Sequence, residues 1–139
     1  AQAGVLLVVV NTTKPSEYDA AFARASTEGA TALQICANPT FLAMRHQLVA
    51  LASRHRIPTM YEWRDFVEVG GLMSYGTDLR SAYRNSGIYA GKVLSGIKPS
   101  DLPIMQASKF EFVLNSQTAR AQGVEFSPTI LARADEVIE

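Results

Sequence analysis

Cysteine is almost missing from this sequence, and the shortages narrow what the chain can be. Cys36 stands alone, so no disulfide forms within the chain, and neither a CxxC redox pair nor a cysteine zinc cluster can be written. Set in the apolar run TALQICA, it is expected as a buried, inert thiol. A surplus of either charge is also lacking. Thirteen basic and thirteen acidic side chains cancel, so nothing draws the chain as a whole to phosphate backbones or anionic lipid, and no nucleic-acid partner is expected. No apolar run approaches the roughly 20 residues of a membrane span. The opening AQAGVLLVVVN has no basic stretch before its apolar part and no cleavage-like segment after it, so it reads as a strand rather than a signal peptide.

Catalytic and cofactor signatures are equally scarce. His46 and His55 lie nine positions apart on one expected helix and make no HExxH pair. The serines lack a GxSxG elbow, and no GxGxxG or GxxxxGK[ST] spacing supports a dinucleotide or P-loop site. An enzyme is therefore the weaker reading, with a flavodoxin-like one kept as a distant alternative, and neither cofactor nor metal is expected.

What is present is a 139-residue chain, 47% hydrophobic and 19% charged, which suits one folded α/β domain. Val5 to Val10 is a continuous apolar, β-branched run of the kind buried on both faces of a parallel sheet. SEYDAAFARASTEG follows as an amphipathic helix, with Ser16 as its cap and Gly29 as its stop. ATALQICA is a second strand, NPTFLAMRHQLVALASRHR a helix with Pro39 in its first turn, and IPTMY a third strand. EWRDFVEVG reads as a short helix and GLMSYG as a fourth strand. A long helix over Asp78 to Ser95 carries Leu79, Ala82, Tyr83, Tyr89, Val93 and Leu94 on one stripe, capped by Thr77 or Asp78. Gly87 and Gly91, one turn apart, suggest close backbone packing there. After Gly96 the regular alternation ends: KFEFVLN is extended, SQTARAQG offers a serine cap and a glycine stop, and SPTILARADEVI begins with a Ser-Pro helix start.

Strands alternating with helices predict a Rossmann-like, three-layer α/β/α parallel sheet built from right-handed crossovers. In such sheets ligands bind outside the carboxyl ends of the strands. The loops at those ends carry Asn11, Asn38, Tyr61, Glu62, Ser74, Tyr75, Gly76, Thr77 and Asp78, a polar and aromatic set suited to orienting a small molecule. The residues alone leave rival roles open: Asn38 and Asp78 as helix caps, Tyr75 as a rim tyrosine, Glu62 as a helix-start charge.

The segments IPTMYEWRDFVEVGGLMSYGTDL, YAGKVLSGIKPSDLPI, KFEFVLNSQTARAQG and SPTILARADEVIE, in this order, resemble the ABC transporter substrate-binding proteins of the tryptophan/tyrosine-binding-like, type I periplasmic binding family. YDAAFARASTEGATALQICANPTFLAMRHQLVALASRHRIP follows the same pattern, so the likeness runs through the whole chain. It implies two Rossmann-like lobes that close about a hinge on a small organic solute, an amino acid or an aromatic compound, and deliver it to an ABC permease outside the cytoplasm. On that basis residues 1–139 are expected to form a single domain, the C-terminal lobe: 1–98 as its sheet, 99–139 as a hinge-crossing strand and closing helices. The isolated lobe is expected to self-associate. The ligand-facing positions carried over are Asn38, Pro39, Tyr61, Glu62, Ser74, Tyr75 and Gly76. Many members have an aspartate at the position of Asn38, and an amide cannot pair ionically with a ligand's amino group. The resemblance also implies that KFEFVLN adds to the other lobe. A ligand-sensing domain of a regulator or receptor is the alternative built on the same lobe.

Overall fold

The computed structural model describes residues 4–105 and 109–139. Three parallel strands, β1 (Leu33–Ile35), β2 (Thr59–Tyr61) and β3 (Met73–Thr77), lie side by side, and β4 (Phe110–Asn115) and β5 (Glu136–Ile138) extend the sheet in the order β1-β2-β3-β4-β5. The α/β fold expected from the alternation is what forms. β4 runs antiparallel to β3 and parallel to β5, so the sheet is mixed.

Helices connect the parallel strands through one shared core. Helix α1 (Tyr18–Thr27) turns Tyr18, Phe22 and Ala25 inward at helical spacing. The long second helix expected from the sequence divides at Met44 into α2 (Pro39–Ala43) and α3 (Arg45–His55), and α3 buries Leu48, Val49, Leu51 and Ala52. Helix α4 (Arg64–Glu68) buries Phe66 and Val67. Ile35 of β1 and Tyr61 of β2 join the side chains of α1, α3 and α4 in one cluster. The Tyr61 and Phe66 rings stack with centroids 4.5 Å apart, a contact worth about 1 kcal/mol beyond the area it buries.

Several sequence expectations are corrected. Val5–Val10 forms no strand: it has no ladder partner among the described residues, and Leu6 is 88% exposed. Cys36 lies one residue beyond β1 and is exposed, because the buried alternation of that strand ends at Ile35. KFEFVLN does not leave the sheet. It forms β4, paired with β3 from Met73↔Leu114 to Thr77↔Phe110, because Val113 and Leu114 are apolar on successive positions and both become buried there.

Helix α5 (Leu79–Leu94) buries none of its residues despite its apolar stripe. Gly87 and Gly91 on it face open space rather than a packed backbone. Helix α1 starts through a 3-10 turn at Pro15–Glu17 instead of a Ser16 cap, and Glu17 accepts from the Thr13 amide at 2.8 Å. Asn115, not Ser116, caps α6 (Ser116–Gln122), whose left-handed stop at Gly123 is as expected. The last expected helix is reduced to α7 (Pro128–Leu131), capped by Ser127, before the chain turns into β5.

The turn from α4 into β3 depends on two glycines for different reasons. Gly70 has φ 97°, a region that favours glycine. At Gly71 a Cβ would lie 2.7 Å from the Phe66 carbonyl oxygen and 2.8 Å from the Tyr61 ring, so no side chain fits between the stacked rings and the strand. Gly71→Ala is therefore expected to destabilise the fold by about 1–3 kcal/mol through overpacking. Urea denaturation read by circular dichroism checks it, and an unchanged midpoint would contradict the packing described.

Candidate functional site at the strand ends

The ends of the three parallel strands are brought level by their register. Ile35 pairs with Tyr61 and Tyr61 with Ser74, so the residues that follow, Cys36 to Pro39, Glu62 and Trp63, and Tyr75 to Asp78, open on one edge of the sheet. Asn38 and Pro39 are exposed there. The Asn38 Oδ1 accepts from the Thr40 amide at 2.8 Å, so its side chain caps α2 and its amide nitrogen is the group turned to no donor role in that cap.

Tyr61 and Ser74 are placed differently from the other carried-over residues. Tyr61 is 0% exposed, its ring in the core against Phe66, and burial holds its phenol above the usual tyrosine range. Ser74 is buried beside it on the same face. Neither hydroxyl has a hydrogen-bond partner among the described residues. Both support the edge from below, and alternation along the strand explains it: Tyr61 and Ser74 point to the α1, α3 and α4 side, Tyr75 to the other.

Glu62 and Gly76 form the closest approach at this edge. A Cβ on Gly76 would collide with the Glu62 carbonyl oxygen and lie 3.1 Å from its carboxyl carbon. Only glycine lets β3 pass so near the end of β2. The Glu62 carboxylate is half-buried and makes no ion pair among the described residues. Tyr75 is 52% exposed, its ring stacked on Phe110 at 5.9 Å and edge-on to Phe112 at 6.1 Å. Phe110 is itself 50% exposed. Sequence reading missed these two phenylalanines because they come from β4, and their nearness to Tyr75 follows only from its antiparallel register.

The other side of the edge is charged and already paired. Arg64 bonds Glu68 and Glu136, each at 2.9 Å, and lies 3.6 Å from Glu111. Lys109 reaches Asp78 at 3.0 Å and Glu111 at 3.6 Å. A cavity of about 230 Å³ lies among Arg64, Lys109, Phe110, Glu111, Asp135 and Glu136. Asp135 spends a carboxylate oxygen on the Phe112 amide at 2.8 Å. Each charge in that cavity thus has a partner in the protein.

Asp78 ends β3 and starts α5. It accepts from the Arg80 and Ser81 amides at 2.9 and 3.2 Å and from the Ser81 hydroxyl at 2.7 Å. The Ser81 hydroxyl first, then the Lys109 ammonium, hold its carboxyl far below the usual carboxylate range. A carboxylate whose folded value is depressed stabilises the fold above its unfolded value near 3.9, and that contribution disappears as pH falls toward the folded value. Asp78→Asn is thus expected to lower stability at pH 7 and to flatten the loss of stability between about pH 4 and pH 2. Thermal denaturation across that range checks it, and parallel profiles for the two proteins would contradict it.

The family model for the ABC transporter substrate binding protein matches residues 1–138. No curated protein sequence matches the chain. Among solved structures, a conserved domain protein from Vibrio cholerae superposes with a TM-score of 0.88 at 20% identity, over 98% of this chain and 46% of its own. An ABC domain in complex with L-Trp from Streptococcus pneumonia superposes with a TM-score of 0.87 at 24% identity, over 99% of this chain and 46% of its own. The ligand-free, open structure of a substrate binding protein with adhesive properties from Clostridium difficile gives a TM-score of 0.64 at 19% identity, over 99% of this chain and 45% of its own. At these identities the structures show a shared fold, and the chain spans less than half the length of each. The match over nearly all of its residues places the chain in the ABC transporter substrate-binding protein family.

Proposed function

We propose that this chain is one lobe of a solute-binding protein of an ABC import system, holding a small organic ligand at the carboxyl ends of β1, β2 and β3. The family match over residues 1–138 carries this reading, and the polar and aromatic edge beside Gly76 gives it a location. Glu62 supplies a partly buried carboxylate for a cationic or amino group, which compensates for the amide at Asn38. Tyr75 and Phe110 offer a stacked aromatic surface to an apolar or planar part of the ligand. Asn38 and Pro39 border the edge at β1, while Tyr61 and Ser74 hold its floor. The role is non-enzymatic. A membrane permease is the partner that receives the solute, and an extracytoplasmic location follows from that role.

Two lobes closing about a hinge would enclose the ligand, and its differential affinity for the closed form would shift the equilibrium between the two. One lobe leaves the ligand half in water, and the apolar surface of Val5–Val10 and α5 left uncovered favours self-association of the isolated lobe.

In the whole protein, Tyr75→Ala is expected to weaken ligand affinity by about five- to thirtyfold, the loss of an aromatic contact worth roughly 1–2 kcal/mol. Isothermal titration calorimetry with a solute identified by thermal-shift screening of the whole protein checks it. Wild-type affinity in the variant would remove Tyr75 from the site.

A further inference from the structure

The charges around the strand ends are unevenly spent. Arg64 is held by Glu68, Glu111 and Glu136, Arg80 by Glu68, and Lys109 by Asp78 and Glu111. Four carboxylates thus answer three cations in that network. Glu62 and Asp135 enter no ion pair among the described residues, and Asp135 turns an oxygen to the Phe112 amide at 2.8 Å. The edge therefore carries a surplus of negative charge, and neither Arg64 nor Lys109 is free to receive an anion. Asn38, whose side chain accepts from the Thr40 amide, adds no positive charge at the β1 border.

Glu62 is the unspent group nearest the end of β3, and its surroundings suit a cation. Its carboxyl carbon stands 3.1 Å from the place of a Gly76 Cβ, so the carboxylate lies on the face of β3 that Gly76 shares with Ser74 by alternation. Ser74 is 1% exposed on that face, and its hydroxyl has no partner among the described residues. A hydroxyl oxygen accepts from an ammonium as a carboxylate does, and such charge-assisted bonds are the strong ones. Tyr75 precedes Gly76 and turns to the opposite face, where its ring stacks on Phe110 with centroids 5.9 Å apart. Both rings are about half exposed. The end of β3 thus presents an ammonium-accepting pair on one face and an aromatic stack on the other, joined through a residue with no side chain.

We propose, resting on the reading of this edge as the solute site, that the solute is an organic cation: an amine joined by a short linker to a planar apolar arm, and not a zwitterionic amino acid. Its ammonium binds the Glu62 carboxylate and the Ser74 hydroxyl, and its arm lies against Tyr75 and Phe110. A carboxylate on the same solute would enter the negative field of the edge, with Arg64 and Lys109 already held by acids of the protein. That repulsion is what discriminates against the amino acid.

Isothermal titration calorimetry on the whole protein at low salt, with probes that share one ring and differ in charge, tests the proposal: tryptamine as cation, tryptophan as zwitterion and indole-3-propionate as anion. Tryptamine is expected to bind at least about tenfold more tightly than tryptophan, and tryptophan more tightly than indole-3-propionate, with the gaps narrowing as salt is raised. Glu62→Gln is expected to weaken tryptamine binding about tenfold and to bring the tryptamine and tryptophan affinities together, at an unchanged melting temperature of the unliganded protein. Tryptophan bound as tightly as tryptamine, or a preference for tryptamine that survives Glu62→Gln, would overturn the proposal. So would failure of all these probes to bind. A screen of neutral and anionic solutes then separates this proposal from the reading beneath it. A solute whose affinity falls in Tyr75→Ala leaves the ligand edge in place and removes only its preference for cations, whereas one indifferent to both Tyr75→Ala and Glu62→Gln removes the edge as well.

Discussion

Where the parallel part of the sheet meets its antiparallel part, Asp78 and Lys109 are joined twice. The Asp78 amide donates to the Lys109 carbonyl at 3.1 Å, and the Lys109 ammonium reaches the Asp78 carboxylate at 3.0 Å. One residue ends β3 and caps α5; the other stands just before β4. Together they fix where the chain leaves the sheet after Thr77 and where it returns at Phe110. The register of β4 follows from that return, and with it the placement of Phe110 and Phe112 against Tyr75 and of Glu111 against Gly76. Lys109 also stands 3.6 Å from Glu111, which in turn faces Arg64 at 3.6 Å. The clasp is thus continuous with the charge network beside the proposed ligand edge.

Between its two clasped ends the chain makes an excursion that owes little to the sheet. Helix α5 buries no residue, and Leu94 at its end is 88% exposed. The excursion still has internal order: the Tyr89 hydroxyl donates to the Pro103 carbonyl at 2.6 Å, and Gly96, with φ 95°, ends the helix. Helix α5 is thus an amphipathic helix with its own cap and stop but no buried residue. Val5 to Val9 are likewise apolar and exposed.

Much of the fold was legible in the sequence because local signals agreed. Alternation of apolar runs with helical stripes gave β1, β2, β3 and the helices between them, and Asp78, Gly29 and Gly123 act as cap and stops where their chemistry suggested. The errors came where burial depends on partners that a short window does not contain. Val5–Val10 has every property of a buried strand except a neighbour. Cys36 reads as apolar with its run but falls one residue past the end of β1. Tyr61 and Ser74 were legible as strand-end residues, yet which face they turn to depends on the parity of the register. The Tyr75, Phe110 and Phe112 cluster joins residues some 35 positions apart, and no local pattern announces it.

A double-mutant cycle on Asp78→Asn and Lys109→Met tests most directly whether this clasp organises the edge. Stabilities of the wild type, both single variants and the double variant are to be measured at pH 7 and low salt by chemical denaturation. If the clasp acts as described, the double variant loses clearly less stability than the sum of the two single losses. Additive losses would show that the two side chains act independently, and that the register of β4 and the aromatic cluster beside Tyr75 are set by something else.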